Sequence, residues 1–282
     1  MSVLLTGATG FVGTEVLARL LRDGEDVVAL VRDERRLDPV LGAHVRAVRG
    51  DLVAPELSVP DDITAIVHCA ASVSFALPLD EARAINVEGT RAMLDLAERL
   101  GVERFVHVST AYVAGRHRGR FGEDDLWVGQ EFRNSYERSK AEAEQLVHDR
   151  DLPSVVVRPS IVMGDSRTGW TPAFNVLYWP LRAYARGLLT HVPAAPDARV
   201  DIVPVDYVAD AIVHVLRERP EARGVINATA GDDAVTVERL AELAAAALGR
   251  GRPRLAVEDG GGLAQRSEEA ARYLPYFDMS VV

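Results

Sequence analysis

Short apolar runs rich in valine and isoleucine alternate along the chain with longer stretches in which apolar residues recur at helical spacing. Runs of this kind, each bounded by glycine, aspartate or proline, predict strands that are buried on both faces. They fall at Val3–Thr6, Val27–Val31, Val45–Arg49, Ala65–His68, Arg104–Ser109 and Ser154–Arg158. The stretches between them predict helices over Val12–Leu21, Leu79–Leu100 and Ser135–Arg150. This alternation indicates a parallel sheet with helices on both faces.

The second half of the chain is less regular. A long insertion that contains prolines precedes further predicted elements: the strands Val200–Val205 and Val225–Ala230, and the helices Tyr207–Leu216 and Val237–Leu248. We therefore predict an α/β fold: a Rossmann-type doubly wound parallel sheet with a smaller C-terminal substrate lobe. The sheet domain is assigned to residues 1–163 and 200–219, and the lobe to residues 164–199 and 220–282.

Composition narrows the class of protein. The 282 residues carry a net charge of −10, which argues against a nucleic-acid partner. Cys69 is the single cysteine and the seven histidines are scattered, so neither a disulfide framework nor a metal site is expected. No apolar run reaches the roughly 18 residues of a membrane span, and the N-terminus lacks the features of a signal peptide. We therefore expect a cytoplasmic protein.

A glycine-rich turn joins the first strand to the first helix. Its glycines follow a G-x-x-G-x-x-G spacing, which permits a tight turn and close approach of a pyrophosphate to the helix N-terminus. A glycine-rich turn without a ligand is the alternative, but the flanking strand and helix favour dinucleotide binding. The residues expected to bind the cofactor here are Gly7, Thr9, Gly10, Phe11, Val12 and Gly13.

The end of the second strand selects the cofactor. NAD sites usually place an acidic residue there for the ribose 2′-hydroxyl, whereas this strand ends with Arg32, whose fork suits a 2′-phosphate. NADP(H) is therefore favoured, although Asp33 could still reach a ribose. Further cofactor contacts are expected at the ends of the third and fourth strands, from Asp51, Leu52, Cys69, Ala70 and Ala71.

Hydroxyl side chains and a tyrosine–lysine pair carry the predicted chemistry. The fifth strand ends in Ser109 and Thr110, and Tyr136 and Lys140 lie four residues apart on one helix face. A reductase needs a proton donor for the oxygen that becomes an alcohol, and a nearby ammonium is expected to lower the tyrosine pKa towards neutrality. A Y-x-x-x-K spacing is common by chance, but here it follows both the glycine-rich turn and the strand that ends in hydroxyls.

Over roughly residues 1–215 the chain resembles the extended short-chain dehydrogenases/reductases. The resemblance lies in six motifs that occur in this order: TGATGFVG, HCAA, NVEGT, VSTAYVAG, YERSK and RPSIVMG. The resemblance implies that Thr110, Tyr136 and Lys140 are catalytic, and that Lys140 also binds the nicotinamide ribose. It implies that Asn86 supports a proton relay, although a structural helix asparagine is an equal alternative. It also implies that four residues line the nicotinamide: Pro159, Ser160, Ile161 and Val162.

A narrower resemblance lies in HCAASVSF and STAYVAG, which are similar to fatty acyl-CoA reductases and to the thioester-reductase domains of carboxylic acid reductases. This branch implies an NADPH-dependent reduction of an acyl thioester or aldehyde, and family membership implies a homodimer. Three other functions stay open as alternatives. The protein is then a ketone, hydroxysteroid-type or dihydroflavonol-like reductase, a sugar-nucleotide epimerase or dehydratase, or a non-catalytic NADP sensor. A cluster of aromatic residues suits either a lid over an apolar or acyl substrate or core packing: Trp170, Phe174, Tyr178, Trp179 and Tyr184.

Overall fold

The computed structural model describes residues 1–54, 57–171, 177–189, 191–192, 194–217 and 223–255, and the backbone alone of Trp179. The strands in these ranges are β1 (Ser2–Thr6), β2 (Asp26–Val31), β3 (Arg46–Arg49), β4 (Ala65–His68), β5 (Arg104–Val108), β6 (Ser154–Pro159), β7 (Ile161–Met163), β8 (His191–Val192), β9 (Arg199–Val200), β10 (Ile202–Pro204), β11 (Gly224–Ala228), β12 (Val235–Thr236) and β13 (Arg254–Leu255). The α-helices are α1 (Phe11–Arg22), α2 (Pro39–Gly42), α3 (Leu79–Leu100), α4 (Ser135–His148), α5 (Tyr178–Ala185), α6 (Val205–Arg217) and α7 (Val237–Leu248). None of the helices in these ranges is long and apolar enough to cross a membrane.

Seven strands form one parallel sheet in the order β3-β2-β1-β4-β5-β6-β11. The chain winds outwards from β1 in one direction to β3 and then returns to β4 on the other side of β1. This is the Rossmann-type order, so the predicted fold class is confirmed. The reversal between β1 and β4 opens a crevice at the carboxyl ends of the strands, where ligands of such sheets bind.

Alternate residues of the buried strands pack on opposite faces of the sheet. Val3 and Leu5 of β1 belong to a cluster with residues of α1 and α6, whereas Leu4 belongs to a cluster with residues of α3 and α4. All three side chains are fully buried. Both faces are therefore covered, which is why these strands read as continuous apolar runs.

The smaller lobe is built on short strand pairs. In it β7 pairs with β10, β9 with β12 and β8 with β13, around an apolar cluster that includes Leu177, Val200 and Val237. Two parts of the predicted division are wrong. Strand β11, assigned to the lobe, pairs with β6 at the edge of the central sheet, whereas β7 and β10, assigned to the sheet domain, pair with each other outside that sheet. Pairings of this kind join strands that are distant along the chain, so a local sequence pattern does not reveal them. The remaining domain boundaries stay predictions.

Candidate active site

A cleft of about 360 Å³ lies at the carboxyl ends of β1, β4, β5 and β6. Most of the predicted site residues line it together, although they come from segments far apart in the chain. These are Gly7, Gly10, Phe11, Val12, Gly13, Cys69, Ala71, Ser109, Thr110, Tyr136, Lys140, Pro159, Ser160, Ile161 and Val162. The parallel order of the strands brings these segments to one edge of the sheet.

The glycine-rich turn is too tightly packed for larger side chains. Gly7 adopts a φ of +75°, and a Cβ atom there would lie 2.8 Å from the backbone nitrogen of Ala70. A Cβ atom on Gly13 would lie 2.1 Å from the Gly7 carbonyl oxygen. Helix α1 begins at Phe11 without a side-chain cap, so its first N–H groups remain available to an anion. These features fit the pyrophosphate of a dinucleotide.

A second feature of the cleft also fits a polar ligand. Ser160 lies at its wall with 7% of its surface exposed, and its buried Oγ has no hydrogen-bond partner among the described residues. A buried hydroxyl without a partner is costly, and a bound group with polar atoms would satisfy it. The predicted cofactor residues Ser160 and Ile161 therefore stand where a ligand can use them.

The end of β2 presents positive charge. Arg32 directly follows β2 and is exposed, and its side chain makes no hydrogen bond or ion pair with any residue that the structure describes. The neighbouring Asp33 is engaged instead: its two carboxylate oxygens each accept a 2.9 Å hydrogen bond from the Arg35 guanidinium, and one also accepts the Arg35 backbone N–H. These hydrogen bonds hold the pKa of Asp33 below its usual value, and Arg36 and Arg49 add to the effect.

The Tyr136 hydroxyl lies beside the Thr110 side chain in the cleft. Burial raises the pKa of Tyr136 to about 12, and a hydrogen bond with Thr110 opposes this rise only in part. Lys140 does not bring about the expected lowering of this pKa, because its ammonium is directed at the Val108 carbonyl oxygen and at His107. Tyr136 consequently stays protonated at neutral pH and is able to donate its proton.

The Lys140 ammonium is held from below the cleft. Its Nζ donates a 2.8 Å hydrogen bond to the Val108 carbonyl oxygen and lies 3.2 Å from Nε2 of His107. Burial lowers the pKa of Lys140 to about 8, while the charge of Glu144 acts in the opposite direction. A lysine with this pKa remains mostly charged at neutral pH, which suits binding of a polar cofactor group.

The predicted contribution of Ser109 is limited by a buried ion pair. Its hydroxyl donates a 2.7 Å hydrogen bond to Glu144, which also accepts from Arg158. The side chains of Glu144 and Arg158 are 0% and 1% exposed. Arg158 continues to the carbonyl oxygens of Gly122 and Asp125 at 3.1 and 2.7 Å. The ion pair therefore connects the end of the strand to the 116–133 loop. Because the Ser109 hydroxyl is bound to this pair, it is not available for the predicted chemistry.

Asn86 is not brought into the cleft. Its Oδ1 accepts the Ser72 backbone N–H at 2.7 Å, and its Nδ2 donates to the Ser72 carbonyl oxygen and, at 2.9 Å, to Ser139 Oγ. Because the whole amide is used in tying the chain after β4 to α4, its geometry favours a structural role over the predicted proton relay.

Four other predicted residues do not line the cleft, and two of them, Thr9 and Ala70, are chain neighbours of residues that do. Thr9 stands between the glycines, and the Ala70 backbone N–H donates to Thr6 Oγ1 at 3.2 Å. Asp51 follows β3 and accepts the Val53 N–H. The Leu52 side chain packs beneath α3, where a Cβ atom added to Gly89 would lie 3.2 Å from Leu52 Cβ. The predicted contacts of these residues with a cofactor stay predictions.

Sequence reasoning missed several apolar wall residues. Val73, Phe75, Tyr112 and Met163 line the cleft, and the Phe75 ring lies 5.5 Å from that of Tyr136. These residues occur inside or next to the recognised motifs. Their position at strand and helix ends near those motifs is the sequence signal that could have identified them.

The aromatic cluster does not supply this wall. The hydroxyl of Tyr178 accepts the Gly164 N–H at 2.9 Å, and that of Tyr184 donates to the Gly251 carbonyl oxygen at 2.6 Å. Tyr184 is buried in the lobe, and Trp170 is 43% exposed. None of these three lines the cleft, which favours core packing over a lid. Phe174 and the side chain of Trp179 lie outside the described residues.

Comparison with known proteins identifies the class. Residues 5–212 match the family described as Male sterility protein. Fatty acyl-CoA reductase 1 of Xenopus laevis is 30% identical over 298 residues, covering 82% of this chain and 58% of that protein. The chain spans about half the length of the fatty acyl-CoA reductases that it matches.

Two solved structures are similar over most of the chain. The terminal R domain of the myxalamid PKS-NRPS biosynthetic pathway has a TM-score of 0.83 and 29% identity, covering 98% of this chain and 77% of that one. MoeE5 in complex with UDP-glucuronic acid and NAD has a TM-score of 0.72 and 28% identity, covering 91% and 85%. Fold and relatives place the chain in the extended short-chain dehydrogenase/reductase class. Within that class the chain belongs to the Male sterility protein family.

Proposed function

We propose that the protein is an NADPH-dependent reductase that acts on the carbonyl group of an acyl thioester or an aldehyde. The observation that carries this proposal is the convergence of Thr110, Tyr136 and Lys140 at one end of a cleft whose other end is the glycine-rich turn. The similarity to the R domain and to fatty acyl-CoA reductases supports it.

The bound cofactor would supply a hydride to the carbonyl carbon. Thr110 and Tyr136 are placed to hold the carbonyl oxygen between their hydroxyls, and Tyr136 gives its proton to that oxygen as negative charge develops. With an aldehyde the product is an alcohol. With a thioester the product of this step is a hemithioacetal, whose carbon–sulfur bond then breaks to release a thiol and an aldehyde. Lys140 would bind a polar group of the cofactor, the nicotinamide ribose.

The choice of NADPH rests on charge at the end of β2. Arg32 is exposed and unengaged among the described residues, whereas the carboxylate of Asp33 already accepts hydrogen bonds from Arg35. A 2′-phosphate would find a guanidinium here, but a 2′-hydroxyl would have to compete with Arg35 for its acceptor. NAD in the MoeE5 complex shows that the fold itself admits NAD, so the charge at the end of β2 carries the choice.

The choice of substrate rests on the cleft wall. The wall has a large apolar part, formed by Val73, Phe75, Ile161 and Met163, beside the hydroxyl groups of Tyr112 and Ser160. An acyl chain would bury apolar area against this apolar part. This wall disfavours a sugar-nucleotide substrate such as the one bound by MoeE5.

Absorbance of NADPH at 340 nm tests the proposal directly. The purified protein is mixed with NADPH or NADH and a panel of acyl-CoAs, acyl-pantetheines, aldehydes, ketones and UDP-sugars. We expect faster NADPH oxidation with thioesters or aldehydes, and its loss in Tyr136→Phe. Turnover confined to ketones, epimerisation of a UDP-sugar, or tight NADPH binding without any turnover would overturn it.

The homodimer also remains a proposal. It rests on resemblance alone and would form through α3 and α4, and sedimentation at micromolar concentration tests it, with a monomer as the contrary result.

A further inference from the structure

Two histidines lie side by side beneath the cleft and have no part in the proposed reaction. His68 on β4 and His107 on β5 are register partners, and their ring centroids lie 5.5 Å apart. Both are almost completely buried, at 1% and 0% exposure. Buried histidines on neighbouring strands are usually held by hydrogen bonds at both ring nitrogens.

His68 meets this expectation. Thr6 Oγ1 lies 2.8 Å from its Nδ1, and Thr90 Oγ1 lies 3.2 Å from its Nε2. Because the Thr90 hydroxyl donates to the Asn86 carbonyl oxygen, it accepts from Nε2, and Nδ1 accepts from Thr6. Both nitrogens are therefore satisfied, and His68 is a structural residue that joins β1, β4 and α3.

His107 differs at one nitrogen. Its Nε2 lies 3.2 Å from Lys140 Nζ, and an ammonium can only donate, so Nε2 accepts and the ring proton resides on Nδ1. That Nδ1 is buried and has no hydrogen-bond partner in the described part of the chain. A phenylalanine or leucine would fill this strand position without leaving a buried donor unpaired. Unlike phenylalanine or leucine, the imidazole provides a hydrogen-bond acceptor at Nε2.

We propose that His107 is a positioning residue for Lys140, whose ammonium it keeps charged and directed at the cleft. Nε2 of His107 and the Val108 carbonyl oxygen take two of the three N–H groups of Lys140, and one remains for the cleft. The inference rests on the proposed function, in which Lys140 assists the reduction.

In the pair of His107 and Lys140, the surrounding groups make Lys140 the residue that titrates. Burial and the charge of Lys140 hold the pKa of His107 well below its usual value, so the imidazole stays a neutral acceptor. Burial lowers the pKa of Lys140 to about 8. The other titratable groups that face the pair are His68 and Cys69 from β4 and its end, and Tyr136, Glu144 and His148 from α4.

The test compares His107→Phe, which has no acceptor, with His107→Gln, whose side-chain oxygen can replace Nε2. The first readout is the pKa of Lys140 in the ligand-free protein, followed by NMR of its ε-methylene group. The second is the alkaline limb of kcat/KM with NADPH, and the third is the melting temperature. His68→Phe is the matched control, because its ring has the same burial but does not contact Lys140.

In His107→Phe we expect the Lys140 pKa and the alkaline limb to fall by roughly one to two pH units, the size expected for a lost hydrogen bond to a charged group. The melting temperature should hold or rise, and His107→Gln should restore both pH values. His68→Phe should lower the melting temperature and leave the Lys140 pKa in place. Should His107→Phe not fold, the smaller His107→Leu replaces it.

An unchanged Lys140 pKa without the acceptor, or a failure of His107→Gln to restore it, would overturn the proposal. The Lys140 titration needs neither cofactor nor substrate. A protein that shows the expected titration but no turnover would therefore contradict the proposed function and leave the role of His107 intact.

Discussion

Replacing Glu144 by glutamine should destabilise the protein strongly, although the change alters a single atom. The wild-type carboxylate is completely buried and accepts hydrogen bonds from Arg158 and Ser109. In Glu144→Gln the Arg158 guanidinium stays buried, with the carbonyl oxygens of Gly122 and Asp125 as its remaining strong acceptors. An amide N–H₂ group also faces a donor in place of one carboxylate oxygen.

Removing one partner of a buried ion pair typically costs about 3–5 kcal/mol. Glutamine keeps one acceptor oxygen, so we expect a loss near about 3 kcal/mol in the free energy of unfolding. For a chain of this size that corresponds to a fall of about 6 °C in melting temperature. Urea unfolding followed by circular dichroism, together with thermal melting, measures both quantities.

Glu142→Gln is the matched control on the same helix. Its carboxylate accepts from Arg83 and Arg138, whose side chains are 42% and 50% exposed. Ion pairs with such exposed partners contribute about 1 kcal/mol at most. A Glu144→Gln protein that loses no more stability than Glu142→Gln would refute the argument from burial.

The pH dependence gives a second check with a definite sign. Burial on its own would raise the pKa of Glu144, but hydrogen bonds from His148 and Arg158 outweigh it, and the folded-state pKa lies below its usual value. The contribution of such a carboxylate is complete above its unfolded pKa of about 4.3 and is lost as the pH falls through the lowered folded value. The difference in stability between wild type and Glu144→Gln should therefore be constant near neutrality and narrow below about pH 4.

Four further substitutions test the site. Tyr136→Phe should lower kcat by about 10²–10⁴-fold in steady-state assays, because it removes the proton donor, and fluorescence titration should show unchanged NADPH affinity. Thr110→Ala should lower kcat without rescue by Ser109. Ser109→Ala should chiefly lower the melting temperature, because the Ser109 hydroxyl is bound to Glu144. Equal losses of kcat in the two variants would contradict this. Arg32→Asp should weaken NADPH binding by about 2–4 kcal/mol and leave NADH binding nearly unchanged, and equal affinities in the wild type would contradict the cofactor assignment.

The sequence predicted several helices and strands well because their signals are local. Helices Leu79–Leu100 and Val237–Leu248 were placed with their exact bounds, and each ends at a glycine in the left-handed conformation, Gly101 or Gly249. An apolar run between punctuating residues likewise bounds β4 at Ala65–His68. Such patterns depend on neighbours within a few residues, so one sequence contains them.

The lobe was harder to predict because its order depends on distant partners. Strands such as β8 and β13 contain two residues each and exist only through their pairing. The spacing of the aromatic residues left a lid over the cleft and core packing equally open, and it did not reveal that Tyr178 and Tyr184 are directed at backbone groups of Gly164 and Gly251. Neither contact leaves a periodic signal in the sequence.

The sequence revealed most of the side chains that line the candidate site but missed the side chains that hold them in place. Tyr136 and Lys140 stand out by their spacing, whereas His107, Glu144 and Arg158 read as ordinary strand and helix residues. Their roles arise from burial and from contacts between β5, β6 and α4, as the 3.0 Å hydrogen bond from Arg158 to Glu144 shows. The pKa of Tyr136 was mispredicted for the same reason, since burial of the ring could not be deduced from its position four residues before Lys140.

The position of the chemistry follows from the parallel direction of the sheet. Val108 and Pro159 are the last residues of β5 and β6, and both strands end at the same edge. Their carbonyl oxygens accept from Lys140 Nζ at 2.8 Å and from Thr110 Oγ1 at 3.4 Å. Backbone acceptors at a strand end need partners, and here the side chains that face the cleft provide them. In an antiparallel pair one of these carbonyl groups would lie at the far edge, so Lys140 and Thr110 could not both be held beside Tyr136.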